Sequence, residues 1–137
     1  MVIILVRIVK KRTIMRAVKI LIVLRGREDF DLIVHGIEMA KRTSGEVHLL
    51  DISSEYSGEA RGMQTKLKDF LNQQPKEVKS VFWQSKGEFA KEVIKFVQKH
   101  SIDVVVLSLK KGFELETILL SRQLKKECVC EVEIIKR

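Results

Sequence analysis

Side chains that could carry catalysis or hold a metal are few in this sequence, and they lie apart. His35, His48 and His100 stand on separate predicted elements with no carboxylate or cysteine at ligand spacing, so we expect packing or surface roles for them. Cys128 and Cys130 would place both sulfurs on one face of a strand, where a soft metal would need ligands from elsewhere. Burial as small apolar side chains is the simpler expectation for this pair.

Hydroxyl nucleophiles have no base to activate them. Ser108, Thr117 and Ser121 lack a histidine positioned for proton abstraction. Neither GxxxxGK(S/T) nor GxGxxG occurs, so neither of these phosphate-binding loop classes applies. We expect Phe82 and Trp83 in the core, because their neighbours in sequence are not basic enough to follow a nucleic-acid backbone. The sequence therefore predicts a protein that is not an enzyme and holds no metal or cofactor.

Length and composition bound the architecture. The chain has 137 residues, the size of one domain, and it is 45% hydrophobic and 32% charged, which is enough apolar surface to fold. One proline and seven glycines are too few for a linker-rich or small all-β protein. The only two cysteines are two positions apart and cannot staple distant segments, so we expect a reducing, cytoplasmic setting.

Positive charge is concentrated at the start of the chain. The first 27 residues carry eight of the 26 lysines and arginines and no acid, while the rest holds 18 cations and 18 acids. The formal net charge of +8 therefore lies in this N-terminal fifth. An alternative function follows, in which residues 7–27 bind nucleic acid or an anionic membrane surface.

The opening segment, Met1 to Val9, is apolar except for Arg7 and is followed by Lys10, Lys11 and Arg12. A membrane-spanning helix needs about 20 apolar residues, and a secretory signal has its charges before the apolar run. A strand is the better interpretation. Residues 1–16 are thus predicted to be an apolar and basic extension, and residues 17–137 the domain. In a further interpretation, synthesis starts at Met15 and the residues before it are upstream readthrough.

From Val18 onward, strands and helices alternate. Continuous aliphatic runs predict strands buried on both faces, helical spacing predicts the segments between them, and the last segment alternates, with Glu131, Glu133 and Ile135 on a solvent-facing side. Parallel strands need right-handed crossovers, so the sequence predicts an α/β fold with an open, Rossmann-like parallel sheet and helices on both faces. The predicted strands span residues 18–24, 46–52, 78–84, 102–109 and about 130–135; the predicted helices contain Phe30 to Lys41, Met63 to Leu71, Phe89 to Val97 and Phe113 to Lys126.

The order of these elements resembles the universal stress protein family. The similarity is best between Val78 and Leu109, where Gly87-Glu88-Phe89-Ala90 stands at the position of a Gly-Asp-Pro-Ala-like turn and Asp103-Val104-Val105-Val106 follows. Lys19 to Gly26 is similar to the family's opening strand and turn. The resemblance implies a five-stranded sheet of order 3-2-1-4-5, with the N-terminal apolar strand additional to it. It also implies a homodimer and a role in stress tolerance or in regulating transporters and enzymes.

The phosphate-binding features of the family are missing here. ATP-binding members carry an aspartate at the end of the first strand and a Gly-x2-Gly-x9-Gly-Ser/Thr loop after the fourth. Arg25 stands at the aspartate position, and the loop reads Ser108-Leu109-Lys110-Lys111-Gly112, with the later Gly-Ser pair replaced near Thr117-Ile118. Phosphate oxygens approach backbone N–H groups closely only where Cβ atoms are absent. We therefore expect no tight ATP binding.

A weaker ligand site is an alternative. If the first and fourth strands of the domain are neighbours, as the resemblance implies, four cations share the crevice between them, beside the helix that starts near Phe113. Such a crevice would suit ATP or another phosphate-bearing ligand, although solvated cations that splay apart explain the same residues. The candidate anion site consists of Arg25, Gly26, Arg27, Ser108, Lys110, Lys111 and Gly112.

The last strand is the expected dimer interface. Pairing of two copies there would use Val129, Glu131, Glu133 and Ile135. The glutamates on its outer face would need cross-strand cations of the partner, such as those of the final Lys-Arg pair, for this pairing to be favourable. A protein partner for the domain is also expected, but nothing in the sequence identifies it.

Overall fold

A computed structural model of the protein describes residues 2–6, 18–24, 30–52, 65, 68–70, 72–73, 78–109 and 111–136. From β2 onward strands and helices alternate as the sequence predicts, apart from the segment between β3 and β4, most of which lies outside the described residues. The elements are β1 (Val2–Val6), β2 (Lys19–Leu24), α1 (Phe30–Thr43), β3 (Glu46–Ile52), β4 (Lys79–Ser85), α2 (Phe89–His100), β5 (Val104–Leu109), α3 (Glu114–Glu127) and β6 (Glu131–Lys136).

The strands form one six-stranded sheet in the order β1-β6-β5-β2-β3-β4. Strands β2 to β6 run parallel to their neighbours in this group, and counted from β2 they have the order 3-2-1-4-5. The predicted fold class is therefore confirmed. The additional N-terminal strand β1 lies antiparallel to β6, with Val2 opposite Lys136 and Val6 opposite Val132.

Helices cover both faces of the sheet, because the central strands are apolar on both sides. In β2, Ile20 and Ile22 belong to the apolar layer beneath α1, whereas Leu21 and Val23 belong to the layer beneath α2 and α3. All four side chains are buried. This is the pattern expected of a strand in a parallel sheet that is covered on both faces.

Helix α1 comes unusually close to the sheet at Gly36. A methyl group at this position would overlap the side chain of Ile22, so the close packing of α1 on β2 requires a residue without a Cβ atom. The helix ends at Thr43, and Ser44 has a positive φ of 52°. The amide of Gly45 then donates to the carbonyl oxygen of Ala40 at 2.8 Å, which closes the helix end.

The predicted solvent-facing side of β6 is wrong for two of its residues. Glu133 and Ile135 are buried, because this side of the strand lies beneath α1. The alternation itself is confirmed: Val132 and Ile134 lie in the opposite layer, together with Cys130. A carboxylate among apolar residues needs a partner, and His35 of α1 provides it.

The helix predicted between β3 and β4 lies mostly outside the described residues. Thr65, residues 68–70 and Asn72 are helical, and Phe70 packs against the layer beneath α1. Met63, Leu67 and Leu71 of the predicted apolar stripe lie outside the description. The remaining differences are shifts of one to three residues at element ends, where hydrogen bonding frays.

Candidate functional site

The order of the strands reverses at the centre of the sheet. The chain passes from β2 to β3 on one side, whereas β5 lies on the other side of β2, with Ile20 opposite Val104 and Ile22 opposite Val106. Helices that follow β2 and β5 cover opposite faces of the sheet, so the carboxyl ends of these two strands border a crevice. In open α/β sheets ligands bind at such a point, and this crevice is the candidate site.

Ser108 and the turn after β5 form the described side of this crevice. The Oγ atom of Ser108 is buried and has no hydrogen-bond partner among the described residues. The carbonyl oxygen of Ser108 accepts a long hydrogen bond, 3.4 Å, from Oγ1 of Thr117 in the first turns of α3. This bond ties the start of α3 to the end of β5 and fixes the wall of the crevice.

Gly112 is the one glycine of this turn, and its conformation suits glycine. Its φ is +93°, a region that side chains rarely adopt, and an added Cβ would meet nothing within 4 Å. The turn is therefore open at this position. Its amide is nevertheless occupied, because the Gly112 N–H donates to Oε2 of Glu114 at 2.9 Å.

The turn thus supplies its own anion. Glu114 and Glu116 both stand in the first turn of α3, where their negative charge is stabilised by the helix dipole. A phosphate group approaching the Gly112 amide would meet the carboxylate of Glu114 and would have to displace it. These two acids lie beside the turn for which the sequence predicts a cationic crevice.

The predicted anion-site residues are only partly within the described residues. Ser108 and Gly112 lie at the turn as predicted, and Lys111 lies between them and is exposed. Arg25, Gly26, Arg27 and Lys110 lie outside the description, so the proposed grouping of cations stays a prediction. Residues 7–17 lie outside it as well, and so does most of the predicted N-terminal basic surface.

Two of the histidines come together at the opposite edge of the sheet, where the strands begin. His48 lies in β3 and His100 at the end of α2, with their ring centroids 6.2 Å apart. Trp83 and Phe96 complete the group, and His100 lies 4.9 Å from the Trp83 ring and 4.1 Å from the Phe96 ring. We call these four residues the aromatic cluster.

A carboxylate is attached to this cluster. Glu46 Oε1 lies 2.9 Å from Nε2 of His48, and Lys79 Nζ lies 3.7 Å from the other Glu46 oxygen. The hydrogen bond to His48 lowers the pKa of Glu46. This carboxylate is a hydrogen-bond partner of a histidine that the sequence analysis did not identify. The signal was present, because Glu46 and His48 are two residues apart on a strand and therefore share a face.

Burial changes the titration of His100. Desolvation by burial lowers the pKa of His100, and the nearby charges of Lys99 and Lys19 lower it further. The lowered pKa of Glu46 favours an ionised carboxylate at neutral pH. The lowered pKa of His100 favours an uncharged imidazole. The cluster is therefore arranged for stability near neutrality.

His35 is also paired with an acid. Its Nε2 atom lies 2.7 Å from Oε2 of Glu133, and the two side chains are almost completely buried between α1 and β6.

Cys128 and Cys130 lie in the layer beneath α2 and α3, so the prediction of buried cysteines is confirmed. Burial raises the pKa of the Cys128 thiol, which keeps it protonated.

The described ranges contain neither a metal-binding group nor a helix that could span a membrane. There, no three histidine, cysteine, aspartate or glutamate residues are grouped closely enough to hold a metal ion. None of the helices described is both long and apolar enough to cross a bilayer.

The prediction that Trp83 lies in the core is wrong, because 36% of its surface is exposed.

Comparison with solved structures identifies the fold. A universal stress protein from Archaeoglobus fulgidus superposes with a TM-score of 0.64 at 16% identity, covering 87% of this chain and 44% of that chain. The chain has the fold of the universal stress proteins. It spans less than half of the Archaeoglobus protein, but it covers 97% of UspA from Lactobacillus plantarum, with a TM-score of 0.58 at 13% identity over 88% of this chain.

A plant member of the group carries a nucleotide. A universal stress protein family protein from Arabidopsis thaliana, solved with AMP bound, has a TM-score of 0.58 at 18% identity, covering 88% of this chain and 92% of that one. The sequence itself matches no protein-family model and no curated protein. At these identities the universal stress fold is what the structures have in common.

Proposed function

We propose that this protein is a non-enzymatic regulatory domain of the universal stress protein type, which acts in stress response by binding rather than by catalysis. The shared fold supports the type of domain. The hydroxyl groups of α3 support a role without nucleophilic catalysis, because each donates a hydrogen bond to a backbone carbonyl oxygen. Ser121 donates to the carbonyl oxygen of Ile118 at 2.8 Å, and Thr117 donates to that of Ser108.

The hydrogen bond between Gly112 and Glu114 is the observation that carries the proposal. In a phosphate-binding turn the backbone amides are left free for the ligand. Here the amide of Gly112, where an added Cβ would meet nothing within 4 Å, is satisfied by an internal carboxylate. The protein is therefore proposed to lack a firm grip on the triphosphate of ATP.

A second candidate function is the binding of a small phosphate-bearing ligand or nucleotide with low affinity. The buried Oγ atom of Ser108 favours it, because a buried hydroxyl without a partner among the described residues is costly unless a ligand or water satisfies it. The AMP in the Arabidopsis relative makes AMP the first probe to test. The cations predicted around this crevice would add affinity for such a ligand.

Isothermal titration of the full chain with ATP, AMP and inorganic polyphosphate tests the two candidates. We expect no heat with ATP or polyphosphate at millimolar concentrations. Heat with AMP alone would favour the second candidate, and firm binding of ATP would contradict the proposed function. Phosphate release from ATP faster than in buffer would contradict the non-enzymatic role.

A matched pair of variants tests whether the Glu114 carboxylate is the reason for weak phosphate binding. Glu114→Gln and Glu116→Gln each remove one negative charge from the same turn of α3, but only Glu114 accepts the hydrogen bond of the Gly112 amide. We expect Glu114→Gln to gain weak affinity for polyphosphate and Glu116→Gln to gain less. An equal gain in the two variants would show that only the overall charge matters.

A further inference from the structure

The aromatic cluster contains a hydrogen bond that only an uncharged histidine can accept. Nε1 of Trp83 donates to Nδ1 of His48 at 3.0 Å. On the other side of the ring, Nε2 of His48 lies 2.9 Å from Oε1 of Glu46. An indole nitrogen is a donor only, so the first bond requires an Nδ1 atom without a proton. The neutral imidazole is therefore the form of His48 that fits both neighbours.

A protonated His48 cannot keep this arrangement. Both nitrogens of an imidazolium ring are donors, so no rotation of the ring restores an acceptor to the indole N–H of Trp83. The two N–H groups would face each other across the 3.0 Å that now separates donor and acceptor. Only 6% of the surface of His48 is exposed, so water has little access to the pair while both side chains stay in place. One of the two side chains then has to move.

Trp83 is the side chain with room to move. His48 lies in β3, which pairs with β2 on one side and β4 on the other, and Glu46 holds its Nε2 atom. Trp83 lies in β4, which among the described strands pairs with β3 alone, and 36% of its surface is already exposed. The indole also contacts the rings of Phe96 and His100, at 5.5 Å and 4.9 Å. Rotation about its side-chain torsions would carry it outward without breaking a backbone hydrogen bond.

We propose that His48 and Trp83 form an acid-sensitive switch at this edge of the sheet. When His48 takes up a proton, its hydrogen bond to Trp83 is lost and the indole swings away from β3 toward solvent. When the proton leaves, Nδ1 accepts from the indole again and the switch closes. The charge of a histidine ordinarily changes between about pH 5 and 8, so the switch responds in this range. This inference does not depend on the proposed function, because no ligand takes part.

The acid beside His48 stabilises the charged ring. The hydrogen bond to His48 and the charges of Lys79 and Lys19 lower the pKa of Glu46 from its ordinary value of 4.5. Glu46 is therefore ionised wherever a histidine titrates, and its contact with Nε2 favours a positive charge on the ring. The two lysines oppose that charge, but the side chain of Lys79 is 70% exposed, so solvent screens its effect.

Helix α2 and the start of β5 contribute the remaining charged groups. The ring of His100 lies 6.2 Å from that of His48, and Lys99 is its neighbour in sequence. Burial lowers the pKa of His100, so this ring is uncharged over more of the acid range and does not repel a charge on His48 there. Asp103, directly before β5, accepts a hydrogen bond from the backbone amide of Lys19 at 2.9 Å.

Trp83 is the only tryptophan of the chain, so its fluorescence tests the proposal directly. The full chain is titrated from pH 8 to pH 5 and quenched with acrylamide at each pH, while far-UV circular dichroism shows whether it stays folded. We expect the quenching constant to rise about twofold toward pH 5, because the indole gains exposure beyond its present 36% when His48 is protonated. The change should reverse when the pH is returned to 8.

The substitution His48→Gln should lock the switch in its closed form. A glutamine side chain offers an acceptor to the Trp83 N–H and a donor to Glu46, but it does not titrate. We therefore expect quenching that no longer depends on pH. His100→Gln removes the other histidine near the indole and should keep the change. His35→Gln is the matched control outside the aromatic cluster and should keep it as well.

Several distinct results would overturn the proposal. Quenching of the wild type that stays constant from pH 8 to pH 5 would mean that the indole is not released. A change that persists in His48→Gln, or disappears in His100→Gln, would assign the effect to another group. A change that coincides with loss of the circular dichroism signal would be acid unfolding and not a local switch.

A second measurement on the wild type keeps the proposal testable if His48→Gln does not fold. The indole N–H of Trp83 gives a single nitrogen-15 resonance, because the chain has one tryptophan. We expect this resonance to shift between pH 8 and pH 5 and its solvent protection to fall relative to the backbone amides of β3. An indole resonance with unchanged position and protection would contradict the switch.

Discussion

The indole N–H of Trp83 donates a hydrogen bond to Nδ1 of His48 at 3.0 Å. An indole nitrogen can only donate, so Nδ1 must accept and carries no proton. The remaining ring proton of neutral His48 is then on Nε2, which lies 2.9 Å from Oε1 of Glu46. Trp83 and Glu46 together fix the tautomer of a buried histidine, because the hydrogen bond made by one ring nitrogen determines which nitrogen carries the proton.

Replacing His48 should destabilise the protein. The change His48→Phe keeps an aromatic ring in the cluster but leaves the Trp83 N–H and the Glu46 carboxylate without their partner, at a cost of about 1–3 kcal/mol. The free energy of unfolding in urea, followed by Trp83 emission, measures it. Lys79→Ala is the control, because it removes only an exposed ion pair to Glu46 worth less than about 1 kcal/mol. Equal losses would contradict the proposed importance of the hydrogen bonds.

Stability should rise with pH through the range in which His100 titrates. The pKa of His100 is lowered from its ordinary value of 6.5, mainly by burial, so the unfolded chain binds more protons there than the folded protein. Stability is therefore complete above pH 6.5 and falls as the pH drops through the folded pKa. The lowered pKa of Glu46 gives a loss of the same sign at more acidic pH. Urea unfolding between pH 5 and 8 measures the slope.

A substitution of His100 tests whether this residue causes the pH dependence of stability. His100→Gln removes the titrating group and should flatten the dependence of the free energy of unfolding on pH just below 6.5. His35→Gln, which changes a histidine outside the aromatic cluster, should retain that slope. An unchanged slope in His100→Gln would show that another group is responsible.

The buried pair of His35 and Glu133 should behave as one unit. His35→Leu leaves the buried Glu133 carboxylate without its partner, and we expect a loss of about 1–3 kcal/mol. The double substitution His35→Leu with Glu133→Leu replaces both polar groups with apolar ones and should recover most of that loss. A double-mutant cycle from urea unfolding measures the coupling. Additive losses would mean that the two side chains do not interact.

Strand β1 should protect the edge of β6 from solvent. Deleting residues 1–14 removes the strand that pairs with β6, so the β6 amides that point toward β1 should exchange with deuterium faster. The amides of β3 lie between β2 and β4 and should keep their protection. Hydrogen exchange with mass spectrometry compares the two strands, and equal exchange of β6 with and without residues 1–14 would contradict the pairing.

Much of the fold could be predicted from the sequence because burial on two faces leaves a strong pattern. The run Ile20 to Leu24 is apolar at every position, and such a run predicts a central parallel strand whatever its neighbours are. Strand β6 was harder, because its glutamates suggested a solvent-facing side. Only the three-dimensional placement of His35 over Glu133 explains why that acid is buried.

The candidate site was predictable only in its location. The strand order placed the crevice near Ser108, and the scarcity of glycines predicted a poor phosphate grip. The hydrogen bond from Gly112 to Glu114 could not be predicted, because it depends on the direction in which a flexible carboxylate folds back. The exposure of Leu115 and Leu119 was missed for a similar reason, since apolar residues in a helix are ordinarily assigned to the core.

The pairing of β1 with β6 has a consequence for the folding pathway. Val2 and Lys136 stand opposite each other, so this ladder joins segments separated by nearly the whole chain. Contacts across such a distance carry a large entropy of loop closure and form late, after the local turns and helices. We therefore expect β1 to be the last strand to join the sheet and the first to leave it.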